Sequence, residues 1–184
     1  ATDLGAPALV NPERDDLSFY PLIYWRIDRQ QQGMSDFAVG KLNDFLKNGG
    51  LLLIDQALGD GLGGTSLAQL LRGLNVPALA PAGDDHVLTR SFYLLNDFPG
   101  RWTGNQVWVE RDASTDNDGV SSVVIGVNDW GSAWATDDAG RPLYAVTPGG
   151  EIQREMAYRF GVNLVMYALT GNYKADQVHV PAIM

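Results

Sequence analysis

The sequence predicts an α/β domain, a three-layer sandwich around a mostly parallel sheet. Three observations predict it. Phe19 to Ile27 (FYPLIYWRI) is a nearly unbroken apolar and aromatic run, the pattern of a strand buried on both faces. A second such run, Gly50 to Asp55 (GLLLID), follows after an interval of helix length. Strand, helix and strand joined by tight links form a βαβ unit, which sets the two strands parallel. A long amphipathic segment near the C-terminus supplies a further helix to cover the sheet.

The elements follow in chain order. Residues 1–16 read as an irregular segment with two prolines and a charged cluster. Pro21 must lie where the first strand needs no ladder donor. Ser35 is an N-cap with Asp36 in the first turn, Ala38, Leu42, Phe45 and Leu46 recur at helical spacing, and Gly49 is the C-cap, so a helix spans 36–48. A short helix over 65–74 carries Leu67, Leu70, Leu71 and Leu74. His86 to Leu95 reads as a strand or extended segment, Val107 to Val109 as a short strand, and Val120 to Val127 as another. Residues 137–142 form a hairpin tip between Ala133–Ala135 and Leu143–Val146. The last helix covers 151–169 and Gly171 ends it; the tail from Asn172 lies on the surface. One domain, 1–184, is the simplest organisation.

Composition excludes several functions. The 184 residues carry 13 Lys and Arg against 22 Asp and Glu, a net charge of −9. A nucleic-acid binder shows a basic footprint, and this chain has none. There is no cysteine, hence no disulfide, thiolate metal site or Cys nucleophile. The apolar runs are far shorter than the roughly 20 residues that span a bilayer. No metal ligand set and no cofactor is expected.

Each motif has a bland reading beside its functional one. Gly59-x-Gly61-x-x-Gly64 matches a dinucleotide fingerprint between a strand and a helix. Asp60 inside the loop would repel a pyrophosphate, and the loop follows Asp55 too loosely, so a glycine-rich connection is the better reading. The acidic loop 112–119 lacks the spacing of a calcium loop. His86, after Asp84 and Asp85 and four residues before Arg90, is a candidate for acid–base chemistry. No serine stands in a nucleophile elbow. Asp55 and the Asn128-Asp129-Trp130 turn both follow strand ends, where parallel sheets bind ligands. If both strands are central, they share one rim. Asn163, inside the last helix, is expected to tie it to a neighbouring backbone.

FYPLIYW, the helix into GGLLLID, DHVLTRSFYLL, VVIGVNDWGSAWA and REMAYRFGVNLVMYALTGNYKADQVHVP together resemble, in the same order, the bacterial domain-of-unknown-function family 4159, over about residues 17–180. The resemblance implies a fold similar to class I glutamine amidotransferase-like and ThuA-like domains, which are flavodoxin-like sandwiches. It also implies a soluble C-terminal domain of a larger bacterial inner-membrane protein, on an undetermined side of that membrane. Members usually carry another strand and helix before the FYPLIYW block. Here eighteen residues precede Phe19, so the chain is expected to be an excised domain. One sheet edge should then be less covered, and paired by a second copy or by residues 1–12.

Two functions remain. The first is a non-catalytic binding or interaction domain for a protein, small molecule or carbohydrate, with Asp55, His86, Arg90, Asn128, Asp129 and Trp130 as candidate ligand-binding residues. The amidotransferase relatives need a cysteine at the strand-to-helix elbow, and here the strand ends in Asp55-Gln56, so glutamine hydrolysis by that mechanism is excluded. The alternative is a hydrolase using Asp55, His86 and Asp129, which requires the three side chains to converge.

Overall fold

The computed structural model describes residues 5–27, 31–56, 67–111 and 120–179. Five strands, β1 (Leu22–Ile27), β2 (Leu51–Gln56), β3 (Leu79–Pro81), β4 (Trp108–Glu110) and β5 (Val123–Gly126), form one sheet in the order β1-β2-β5-β4-β3. The first three in that order are mutually parallel, and β4 and β3 extend the sheet antiparallel. The sheet is therefore mixed, with its parallel part built around β2.

Alternation along β2 explains the two cores. Leu51 and Leu53 point to one face, Leu52 and Ile54 to the other, and all four are essentially inaccessible. On one face they meet Leu42, Phe45 and Leu46 of helix α1 (Asp36–Lys47) and Leu70 of α2 (Leu67–Leu70). On the other they meet Phe160, Leu164 and Tyr167 of α4 (Gly150–His179), with Trp130 of α3 (Trp130–Trp134). Ser35 caps α1 as its sequence indicates, accepting from the Ala38 N–H at 3.1 Å.

Four sequence expectations are corrected. The first strand begins at Leu22 rather than at Phe19; residues 17–19 are a 3₁₀ turn, because Asp16 accepts from the Ser18 N–H and hydroxyl. Residues 86–95 are not extended. His86 Nδ1 accepts from the Leu88 N–H and caps a 3₁₀ turn over Val87–Thr89, and Asn163 takes up the backbone beyond it. The Asn163 amide accepts from the Phe92 and Tyr93 N–H groups and donates to the Leu88 and Tyr93 carbonyls. Ala133 and its neighbours are helical, although Thr136 still bridges Pro142 around the expected turn. Gly171 does not end α4, which continues to His179. A helix-interior glycine costs only about 1 kcal/mol, and no proline intervenes before Pro181.

β1 is an open edge. The Leu51 N–H donates to the Pro21 carbonyl, and the parallel register pairs Ile23 with Leu52. Backbone groups alternate in direction, so Ile23, Trp25 and Ile27 bond to β2. Those of Leu22, Tyr24 and Arg26 face outward. Among the described residues β1 pairs with β2 alone. Residues 6–13 run alongside without joining the sheet. A groove of about 910 Å³ lies between, lined by Val10, Ile23, Tyr24, Met34, Leu42 and Trp134 among others.

Candidate functional site

The C-terminal ends of β1, β2 and β5 meet at one rim, and even-odd alternation decides what stands there. Tyr24 and Arg26 on β1 and Asp55 on β2 share a sheet face, continuing the rows of Leu22 and of Leu51 and Leu53. Gly126 on β5 faces the same way, and a Cβ there would lie 2.3 Å from the Trp130 ring. The glycine therefore makes room for the indole.

Asp55 is fully buried. One carboxylate oxygen accepts from the Asp129 N–H at 3.0 Å, and the other from the Tyr24 hydroxyl at 2.8 Å and the Gly131 N–H at 3.3 Å. Burial pushes the Asp55 carboxyl above its usual range, against the opposing pull of the Tyr24 bond. Burial, with the Asp55 charge second, holds the Tyr24 hydroxyl protonated far above its ordinary value. A carboxylate so engaged fixes the turn after β5, and its complete burial keeps it from a substrate.

Asp129 is the one non-glycine residue with positive φ among those described (φ 51°, ψ 56°). That strained backbone turns its N–H onto Asp55 and its side chain toward two arginines. Arg26 Nε donates to Oδ1 at 3.3 Å, and an Arg101 terminal nitrogen lies 3.7 Å from Oδ2. The Asp129 side chain is 2% exposed, while Arg26 is 44% and Arg101 31% exposed. The Arg101 guanidinium lies over the rings of Trp102 at 5.0 Å and Tyr144 at 5.4 Å.

The predicted rim is thus real for Asp55, Asn128, Asp129 and Trp130. Asn128 and Trp130 also clasp a neighbouring loop. Asn128 donates to the Phe98 carbonyl and accepts from the Asn105 amide, and the Trp130 indole donates to the same Phe98 carbonyl. His86 and Arg90 are not brought there. The His86 ring packs edge-on against Tyr167, whose hydroxyl accepts from the Ser121 N–H before β5 begins. His86 therefore sits at the opposite end of the strands, and burial lowers its affinity for a proton. Arg90 is exposed. The loops 59–64 and 112–119 and the tail from 180 lie outside the described residues.

Sequence reasoning missed Tyr24, Arg26 and Arg101. A signal existed for Arg26, the single charge inside FYPLIYWRI. None existed for Arg101, which only the fold carries to Asp129. Among the described residues no three His, Asp or Glu side chains gather as a cation site.

The domain-of-unknown-function family DUF4159 matches residues 1–169. The chain belongs to the DUF4159 family. The match covers every described strand, α1 to α3 and most of α4, including both sides of the rim. No curated protein matches the chain. No described helix is long and apolar enough to cross a membrane.

Proposed function

We propose that this DUF4159 chain is a non-catalytic interaction domain on a glutamine amidotransferase-like, ThuA-like scaffold of the flavodoxin-like three-layer kind. We propose also that it serves a larger bacterial protein anchored at the inner membrane. One observation carries the functional reading. At the strand end where the amidotransferase relatives place a nucleophile stands Asp55, sealed and bonded at both oxygens. The parallel core and the helices on both sheet faces support the scaffold assignment.

The hydrolase alternative loses its base, because His86 lies at the far end of the strands. The accessible feature is instead the open β1 edge beside an apolar groove. Outward N–H and C=O groups at Leu22, Tyr24 and Arg26 suit an extended peptide of a protein partner, which adds a strand and seats alternate apolar side chains.

Displayed extended peptides selected on the domain test this reading, followed by titration against wild type and Leu22→Pro. The Leu22 N–H faces outward, so proline there spares the β1–β2 ladder and removes a docking donor. Selected peptides should lose binding at least about tenfold to the variant. Peptides that bind both forms equally, or steady turnover of glutamine by the purified domain, would overturn the proposal.

A further inference from the structure

We propose that Arg26 and Arg101 form an anion clamp at the rim, taking a carboxylate or phosphate group of a ligand. The inference does not depend on the β1 edge.

The charge arithmetic is local. Two guanidiniums converge on one buried carboxylate, Asp129. The neighbouring Asp55 balances the second guanidinium in charge, but its oxygens are engaged by Tyr24 and by the Asp129 and Gly131 N–H groups and take no guanidinium N–H. Among the described residues it is therefore hydrogen-bond donors that are in excess. Arg26 engages Asp129 through Nε, leaving both its terminal nitrogens without a hydrogen-bond partner among the described residues. Arg101 uses Nε on the Ala145 carbonyl and one terminal nitrogen near Asp129, which leaves the other open among the described residues. Both side chains reach solvent.

The donors are held in place. The Arg101 guanidinium stacks within cation–π distance of both Trp102 and Tyr144. The Arg101 N–H donates to the Asp129 carbonyl and the Thr147 N–H to the Arg101 carbonyl, so its backbone is pinned at both ends. The left-handed Asp129 is itself locked by Asp55. Strain of this kind at a non-glycine residue costs about 1–3 kcal/mol and persists where the surroundings over-determine it. Here it aims one carboxylate between two arginines beyond the carboxyl ends of parallel strands, the position where open α/β sheets bind ligands. Planar guanidinium forks match the paired oxygens of carboxylate and phosphate.

Inorganic phosphate and glutarate are the two probes, each titrated against the whole chain at constant ionic strength with chloride as the balancing anion. Arginine side-chain N–H resonances and the thermal midpoint report binding. At least one probe should saturate below about 50 mM, shift the Arg26 and Arg101 signals, and bind at least about tenfold more weakly to Arg101→Gln and Arg26→Gln. Arg159→Gln, whose arginine pairs with Glu155 on α4, should leave binding unchanged. Phosphate alone would assign a phosphorylated ligand, and glutarate alone a carboxylate. If neither probe saturates, or if both glutamine variants fold and bind as wild type does, the clamp is refuted. Should either variant fail to fold, Arg101→Lys replaces it: the fork geometry requires weaker binding there too, and unchanged binding would overturn the proposal.

Discussion

Replacing Asp55 with asparagine tests whether that carboxylate is a structural tie. It accepts three hydrogen bonds, at 2.8, 3.0 and 3.3 Å. An amide keeps one acceptor oxygen and puts an NH₂ group where the other stood. In one orientation of the amide the buried Asp129 N–H loses its acceptor; in the other the Tyr24 hydroxyl loses its own, while the Gly131 N–H keeps its bond to that hydroxyl. Leaving one such donor unsatisfied costs about 1–3 kcal/mol. An opposing contribution depends on pH. Burial raises the Asp55 carboxyl in the folded state, so the unfolded chain loses that proton first as pH rises. Wild-type stability from this group is therefore fully present below the unfolded value, about 3.8, and is lost as pH rises through the folded value. The asparagine variant has no such dependence at this position. Urea unfolding of both proteins from about pH 3.5 to 8 should show the variant less stable by about 1–3 kcal/mol at the acid end. The gap should narrow as pH rises. Equal stability across the whole range, or a gap that widens with pH, would refute the reasoning.

Three further perturbations follow. Gly131→Ala places a Cβ 2.3 Å from the Tyr24 hydroxyl and should displace it from Asp55, costing about 1–3 kcal/mol in chemical unfolding. Tyr167→Phe strands the buried Ser121 N–H, which now donates to the Tyr167 hydroxyl at 2.5 Å; a loss of about 1–3 kcal/mol is expected in the same assay. Burial holds His86 below its usual 6.5, so its contribution is present above that value and lost as pH falls through the folded one. His86→Asn keeps a side-chain acceptor for the Leu88 N–H and should flatten the fall in stability below about pH 6.5.

Periodicity makes the parallel half of the sheet legible. Continuous apolar runs at β1 and β2 and the Ser35-to-Gly49 helix between them each speak through local pattern and capping. Asp55 and Asp129 are readable as rim residues for the same reason, since both stand where an apolar strand stops. The apolar residues of His86–Leu95 satisfy a strand pattern, whereas what organises that segment is Asn163, 70 residues away from Tyr93. Arg101 has no local signature. Its role arises from the Asn128 and Asp129 carbonyls, which accept from the N–H groups of Trp102 and Arg101. The antiparallel strands β3 and β4 are three residues each, too short for periodicity to fix their direction. The length of α4 exceeds the sequence expectation because Gly171 opposes continuation with only a small propensity cost.

Residue-resolved amide exchange on the isolated domain bears most directly on β1 as an unpaired edge open to a partner. The N–H groups of Leu22, Tyr24 and Arg26 should exchange rapidly, while those of Ile23, Trp25 and Ile27 stay protected by β2. Protection of all six would mean that the edge is already covered, and the interaction surface described for this family member would not exist.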